Sequence, residues 1–259
     1  MKIAIIGCGV IGSALARHFA DENQVLLADH SYKKSLALAQ ELGSVAFESS
    51  IEAIKKAEMV VVAIKPKDLK AFAEESAHAF KHGPMVVSVL AGTSVALLKR
   101  YFPPSVIVRI MPNLPMICGQ GVIGFVKTPE MTPERKMAIE QAFDGLGLLT
   151  WLSEDQLETL SAIAGSGPAF NLVVIQGMID SAIMLGFTHN QAKEYVLKTI
   201  EGTIALLKST GKTPEELINQ VASPGGTTRA GLQVLEEKDL PQILKDTYQA
   251  TFNRAKELQ

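Results

Sequence analysis

Six residues, Ser223-Pro224-Gly225-Gly226-Thr227-Thr228, have the types and order needed to hold a small anion. Adjacent glycines let a backbone come close to a ligand and take positive φ. The run Thr227 to Glu236 has helical composition, so the loop should present free backbone N–H groups at a helix start, where negative charge is favoured. Two threonine hydroxyls stand at the mouth of that opening. The arrangement describes a pocket for a carboxylate.

A second constellation is Gly7-Cys8-Gly9-Val10-Ile11-Gly12, a GxGxxG directly after a β-branched run and directly before helical spacing. That is the context of a dinucleotide fingerprint. Gly7 permits the turn, Gly9 the approach of a pyrophosphate, and Gly12 close helix–strand contact. Asp29 ends the second strand, 17 residues beyond Gly12, where an acid often bonds the ribose 2′-hydroxyl of NAD. His30, Ser31, Lys33 and Lys34 follow at once, and such groups can hold the 2′-phosphate of NADP. Both cofactors stay open. Three more glycine- or proline-marked runs close strands: Ala63-Ile64-Lys65-Pro66, Ala91-Gly92-Thr93-Ser94 and Arg109-Ile110-Met111-Pro112-Asn113. Ligands of open α/β sheets sit at such carboxyl ends. Lys65 reads either as a cofactor contact or as a cap on a strand edge. None of the five histidines falls in these motifs, and His30 and His189 read as surface groups.

The elements that must position these residues follow from the apolar spacing. Lys2–Gly7, Gln24–Asp29, Glu58–Ile64, Pro84–Leu90 and Ser105–Ile110 read as strands, with helices at 11–22, 32–42, 69–80 and 94–101 between them. Gly121–Val126 and Leu148–Leu152 are later strands around a helix at 133–143. Strand–helix alternation with short links gives right-handed βαβ units and a parallel sheet. After Trp151 only helices remain, at 156–164, 169–185, 191–209, 214–221, 228–236 and 241–258. The expected fold is α/β, a Rossmann-type doubly wound parallel sheet over 1–151 followed by an all-helical domain over 152–259. Helix 169–185 is apolar on nearly every face, which demands burial on all sides, within its own bundle or against a partner subunit. The second option predicts a homo-oligomer.

Composition narrows the setting. The 259 residues are 47% hydrophobic and 20% charged, as in ordinary globular proteins, and can form one large core or two moderate ones. A net charge of −2 argues against broad binding to nucleic acid or an anionic membrane. The apolar run before Gly7 is too short for a signal segment, and no run free of glycine, proline and charge approaches a spanning length. Cys8 and Cys118 have neither paired spacing nor companion metal ligands, which fits two buried thiols in a reducing, cytoplasmic compartment.

Taken together, GCGVIG, AIKP, SVLAGTS (88–94), RIMPNLP (109–115), AGSGPAF (164–170) and SPGGTT resemble the pyrroline-5-carboxylate reductases of proline biosynthesis over essentially the whole chain. The first motif is shared by many dehydrogenases; the last is the most specific. The resemblance implies reduction of 1-pyrroline-5-carboxylate to L-proline with NADPH or NADH. It assigns Ser223 and the N–H groups of Gly225, Gly226 and Thr227 to the substrate carboxylate, and Thr228 to the ring nitrogen. It assigns Gly7, Gly9, Val10, Ile11, Gly12, Asp29, Ser50, Ala63, Lys65, Pro66 and Gly92 to the cofactor, with no metal. It implies homodimers through interlocked C-terminal helices, stacked in some members into larger rings such as a decamer of dimers. Two positions depart from the family: Ser50 and Gln220 stand where relatives carry Asn.

Two other functions compete. A reductase for a β-hydroxy acid or another cyclic imine would use the same architecture, but hydroxy-acid enzymes place a proton-transfer lysine in the helical domain, and Lys193 and Lys198 carry no matching motif. A nucleotide-binding regulatory protein would have no need of an intact SPGGTT.

Overall fold

The computed structural model describes residues 1–126 and 128–257. Packing divides them into two compact units, 1–165 with 251–257, and 166–250.

The first unit begins with β1 (Lys2–Ile6), α1 (Val10–Ala20), β2 (Gln24–Ala28), α2 (Tyr32–Leu42), β3 (Val45–Ala46), α3 (Ser50–Lys56) and β4 (Met59–Val62). It continues with α4 (Leu69–Ser76), β5 (Met85–Ser88), α5 (Val95–Tyr101), β6 (Val106–Met111), β7 (Gly121–Val126), α6 (Pro133–Ala142), β8 (Gly147–Leu152) and α7 (Glu154–Leu160). The strands form one sheet in the order β3-β2-β1-β4-β5-β6-β7-β8. Four-residue β4 is buried throughout, as a strand covered on both faces must be. One face packs Leu15 and Phe19 of α1, Leu38 of α2 and Ile139 of α6. The other packs Ile54 of α3, Leu69 of α4, Leu98 of α5 and Leu157 of α7. The sheet is doubly wound, as the alternation implies.

Not every pairing is parallel. β6 and β7 run antiparallel, with Ile110 opposite Phe125 and Met111 opposite Gly124. Only a single-turn 3₁₀ segment, Leu114–Cys118, joins them. A parallel return needs a crossover of roughly a dozen residues or more, so this link turns the chain back. β7 and β8, joined through α6, are parallel again. Two elements have no counterpart in the sequence pattern: the two-residue β3 and the seven-residue α3.

The second unit holds α8 (Gly167–Met184), α9 (His189–Thr210), α10 (Pro214–Val221), α11 (Thr227–Glu237) and the first part of α12 (Leu240–Glu257). Capping boxes start two of them: Thr188 with Gln191, and Thr213 with Glu216. In each, two otherwise orphan N–H groups are satisfied reciprocally. Helix α8 packs along α9, yet only Gly167 and Ile179 of it are buried. Val173, Met184 and Leu185 are each more than 70% exposed. Burial inside its own bundle is therefore not how this chain covers α8.

Candidate active site

The nucleotide side is built where the strand order reverses. β1 lies between β2 and β4, so the chain winds one way through β2 and β3 and the other way from β4 onward. Open α/β sheets bind ligands at the carboxyl ends of strands at this switch point. A cleft of about 740 Å³ opens there, walled by Gly7 and Gly9, by Asp29, His30 and Lys34, by Glu48, Ser49 and Ser50, and by Ala63 to Lys65. Lys67, Asp68, Ala71, Phe72 and Glu75 close its far side.

Gly7 has φ +102°, and a Cβ there would lie 2.5 Å from the Ala63 carbonyl oxygen. The fold itself demands this glycine. Gly9 is different: a Cβ there would meet nothing within 4 Å. The space above it belongs to no protein atom, which is the room a pyrophosphate needs. Gly9 is also the N-cap of α1 and supplies no side-chain cap, so the first-turn N–H groups of Val10, Ile11 and Gly12 lack internal partners. The residues present thus fit a dinucleotide.

Of the residues assigned to the cofactor from sequence, Gly7, Gly9, Asp29, Ser50, Ala63 and Lys65 line the cleft. Val10, Ile11 and Gly12 open α1, and Pro66 starts the 3₁₀ turn Pro66–Asp68 beside Lys65. Gly92 lies in the turn between β5 and α5 and is not part of the cleft wall. Asp29 also ties two loops together. Its Oδ2 accepts the Cys8 N–H at 2.7 Å and its Oδ1 accepts the Ser31 N–H at 2.9 Å. Burial, reinforced by the Asp29 charge, pushes the Cys8 thiol up to about 12.

Two side chains of the RIMPNLP run are held by long-range bonds within the first unit. The Arg109 guanidinium is 5% exposed and donates to Glu154 at 2.9 Å and to Glu158, both on α7. The same Glu154 oxygen accepts the Val95 N–H at 2.8 Å, at the start of α5. Asn113 accepts the Val122 N–H at 2.8 Å and donates to the Ala164 carbonyl at 3.0 Å. Ala164 lies in a π-helical turn, Ser161–Gly165, that the sequence pattern did not reveal. A π turn depends on what packs against it and leaves little trace in residue spacing.

In the second unit, Ser223–Gly226 forms a tight turn with Gly225 at φ +70° and a Gly226 N–H to Ser223 carbonyl bond of 3.1 Å. Gly226 is the N-cap of α11, and it offers no side-chain cap. A Cβ on Gly226 would lie 2.7 Å from Ser223 Oγ. Ser223, Thr227 and Thr228 are exposed, and among the described residues their hydroxyls form no hydrogen bond. The N–H groups of Thr227 and Thr228 likewise precede the first intrahelical bonds, which begin at Arg229. The loop therefore offers open donors of both kinds, backbone and hydroxyl. Elsewhere, His18 and His82 bond backbone carbonyls, and Lys198 pairs with Glu201 on the exposed side of α9.

Comparison with known proteins gives two family models. Residues 154–258 match the model for pyrroline-5-carboxylate reductase dimerisation, and residues 2–92 match the model for NADP oxidoreductase, coenzyme F420-dependent. The pyrroline-5-carboxylate reductase of Aquifex aeolicus is 31% identical, over 100% of this chain and 97% of its own. The structure of 1-pyrroline-5-carboxylate reductase from Streptococcus pyogenes superposes with a TM-score of 0.92 at 26% identity, covering 99% of this chain and 98% of its own. The Plasmodium falciparum pyrroline carboxylate reductase, solved with NADP bound, shares the fold, with a TM-score of 0.91 at 23% identity over 100% of this chain and 98% of its own.

Proposed function

The chain belongs to the pyrroline-5-carboxylate reductase family, and from that premise we propose that it passes a hydride from NADPH or NADH to the ring imine carbon of 1-pyrroline-5-carboxylate, giving L-proline and the oxidised cofactor. The ring nitrogen is already protonated in the reactive imine, so the carbon accepts the two electrons without help from a strong acid. The protein's task is to place the substrate and exclude water.

One observation carries the reading at this chain's own residues: the open hydroxyls of Ser223, Thr227 and Thr228 and the free N–H groups of Thr227 and Thr228, beside a Gly226 N–H that also reaches the Ser223 carbonyl. Ser223 Oγ and the N–H groups of Gly225, Gly226 and Thr227 bind the substrate carboxylate at the start of α11, where the helix dipole favours negative charge. Thr228, in the first turn of α11 with its hydroxyl open, bonds the ring nitrogen and orients it. Gly7, Gly9, Val10, Ile11 and Gly12 hold the pyrophosphate, and Asp29, Ser50, Ala63, Lys65 and Pro66 complete the cofactor side, with Gly92, outside the cleft wall, assigned to it by the family resemblance alone.

Residues 1–151 bind the dinucleotide, and 152–259 bind substrate and form a homodimer. The dimerisation match over 154–258 and the bare apolar side chains of α8 support that division. The stretch Glu154–Met184 is long and apolar enough to cross a bilayer by length and composition; in this reading its exposed apolar residues meet a second copy, not lipid. A decamer of dimers is the larger assembly to test for. A net charge of −2 and two free thiols support a cytoplasmic enzyme that engages neither nucleic acid nor membrane.

The test is oxidation of NADPH or NADH followed at 340 nm with 1-pyrroline-5-carboxylate, with chromatographic identification of proline. Absence of oxidation with both cofactors would remove the assignment.

A further inference from the structure

We propose that Asn113 is a positioning residue for hydride transfer. Its amide stands in for the backbone N–H that Pro168 lacks, and so fixes the junction where the chain leaves the first unit for the second. The inference rests on the reading above that the first unit holds the cofactor and the second the imine.

The chain crosses between the units at Gly165–Ser166 and again at Ala250–Thr251. The second crossing lies inside α12, which runs unbroken from Leu240 to Glu257. The first is irregular. Glu154–Met184 is one helical run, yet α7 passes into α8 through the π turn Ser161–Gly165, and Pro168 follows in the first turn of α8. Sharp bends of helices arise at proline, at glycine–serine pairs and at π turns, and the run 161–168 combines all three. A proline inside a helical run offers no N–H to the carbonyl four residues back, and its ring crowds that same oxygen. Here the carbonyl belongs to Ala164.

The next donors along the helix do not replace it. Ala169 N–H goes to the Ser166 carbonyl at 3.0 Å, and Phe170 N–H reaches the same oxygen at 3.4 Å. The replacement comes from 51 positions away: Asn113 Nδ2 donates to the Ala164 carbonyl at 3.0 Å, from a side chain that is 7% exposed. Its other end is fixed as well, because Oδ1 accepts the Val122 N–H of β7 at 2.8 Å. Reversing the amide would set donor against donor and acceptor against acceptor, so it has one orientation. The same end of β6 meets the junction a second time. A Cβ on Gly165 would lie 2.8 Å from Met111 Cε, so the methionine methyl fills the space beside that glycine. Without the Asn113 donor the junction is free to shift, and a misplacement of about 1 Å can slow a reaction on the order of 100-fold.

The test uses Asn113→Asp at pH 8, which keeps an acceptor for Val122 and removes the donor to Ala164. Hydrogen exchange read by mass spectrometry reports the junction directly, and single-turnover oxidation of NADPH or NADH with 1-pyrroline-5-carboxylate reports the transfer. In the variant, amides of 161–170 should exchange about tenfold faster while β1, β2 and β4 stay as in wild type. The transfer rate should fall about tenfold or more, with cofactor Kd and KM for the imine within about twofold. Adding Pro168→Ala supplies the missing N–H, so the double variant should regain at least about threefold in both exchange protection and rate. Should Asn113→Asp fail to fold, Asn113→Ser, too short to reach Ala164 and uncharged, is measured in its place. Unchanged exchange at 161–170, faster exchange throughout the sheet, a transfer rate within twofold of wild type, or the same loss with and without Pro168 would overturn the proposal. A wild type that does not reduce the imine would remove the transfer role together with the substrate reading, and exchange would still decide whether Asn113 holds the junction.

Discussion

Arg109 on β6 and Glu158 on α7 form a nearly enclosed ion pair, the guanidinium 5% and the carboxylate 12% exposed. Glu154 joins them at 2.9 Å and also fixes the first N–H of α5. Removing one member of a buried pair strands the other without solvent. Arg109→Ala should therefore destabilise the first unit by about 3–5 kcal/mol, lowering Tm by roughly 10 °C. Replacing both partners, Arg109→Met with Glu158→Leu, should recover part of that, because the enclosed Glu158 charge goes with the guanidinium while Glu154, 35% exposed, keeps the Val95 N–H. Scanning calorimetry reads both, and a wild-type Tm in Arg109→Ala would show the pair to be inert.

Thr228→Ala should lower kcat roughly 10- to 100-fold, the range for one lost substrate hydrogen bond of about 1–3 kcal/mol. The Kd for the cofactor should stay within twofold, since Thr228 is assigned to the ring nitrogen of the substrate and not to the dinucleotide. Steady-state kinetics with a parallel cofactor titration separate the two quantities. Equal turnover in wild type and variant removes Thr228 from the site.

The substrate carboxylate should be sensitive to Gly226 itself. Gly226→Ala sets a methyl 2.7 Å from Ser223 Oγ and 3.2 Å from the Ser223 carbonyl, so the turn must shift. KM for the imine should rise at least about tenfold, against the loss of one or two charge-assisted bonds. A KM within twofold of wild type would place the carboxylate elsewhere.

Val173→Asp puts a charge on a residue that is 73% exposed on α8. If α8 meets a second copy, the charge is buried unpaired, and light scattering after size exclusion should show a monomer where wild type is dimeric. An unchanged mass would move the interface to another face.

Cys8 gives a pH dependence with a definite sign. Its folded value of about 12 lies above that of an unfolded thiol, so folding favours the neutral form. That stability is fully present below the unfolded thiol value and is lost as pH rises toward 12, by about 1.4 kcal/mol per unit. Urea midpoints of wild type should fall between pH 8 and 10.5 by more than those of Cys8→Ala. A thiol reagent at pH 8 should meanwhile modify exposed Cys118 and spare Cys8 until the chain unfolds.

Much of this architecture was legible because it rests on local rules. The glycine fingerprint, the buried run of β4 and the start of α11 after Gly226 each follow from a few adjacent residues. What escaped was set at long range. β3 is two residues long and has no periodicity to read. The reversal at β7 depends on a link too short to cross over. Arg109 finds its partners 45 and 49 positions away, so its part in holding α7 to β6 could not be read from the motif around it. Asp29 was legible as a residue of the cleft, but its bonds to the Cys8 and Ser31 backbone, one of them 21 positions away, were not.

The two leading glycines of the fingerprint answer to different selective pressures. A side chain at position 7 collides with the backbone at Ala63, so any descendant that keeps this sheet must keep that glycine, whatever it binds. A side chain at position 9 collides with nothing the protein owns. A lineage that abandoned the cofactor could drift freely at 9 while remaining frozen at 7, and position 9 alone would record the loss.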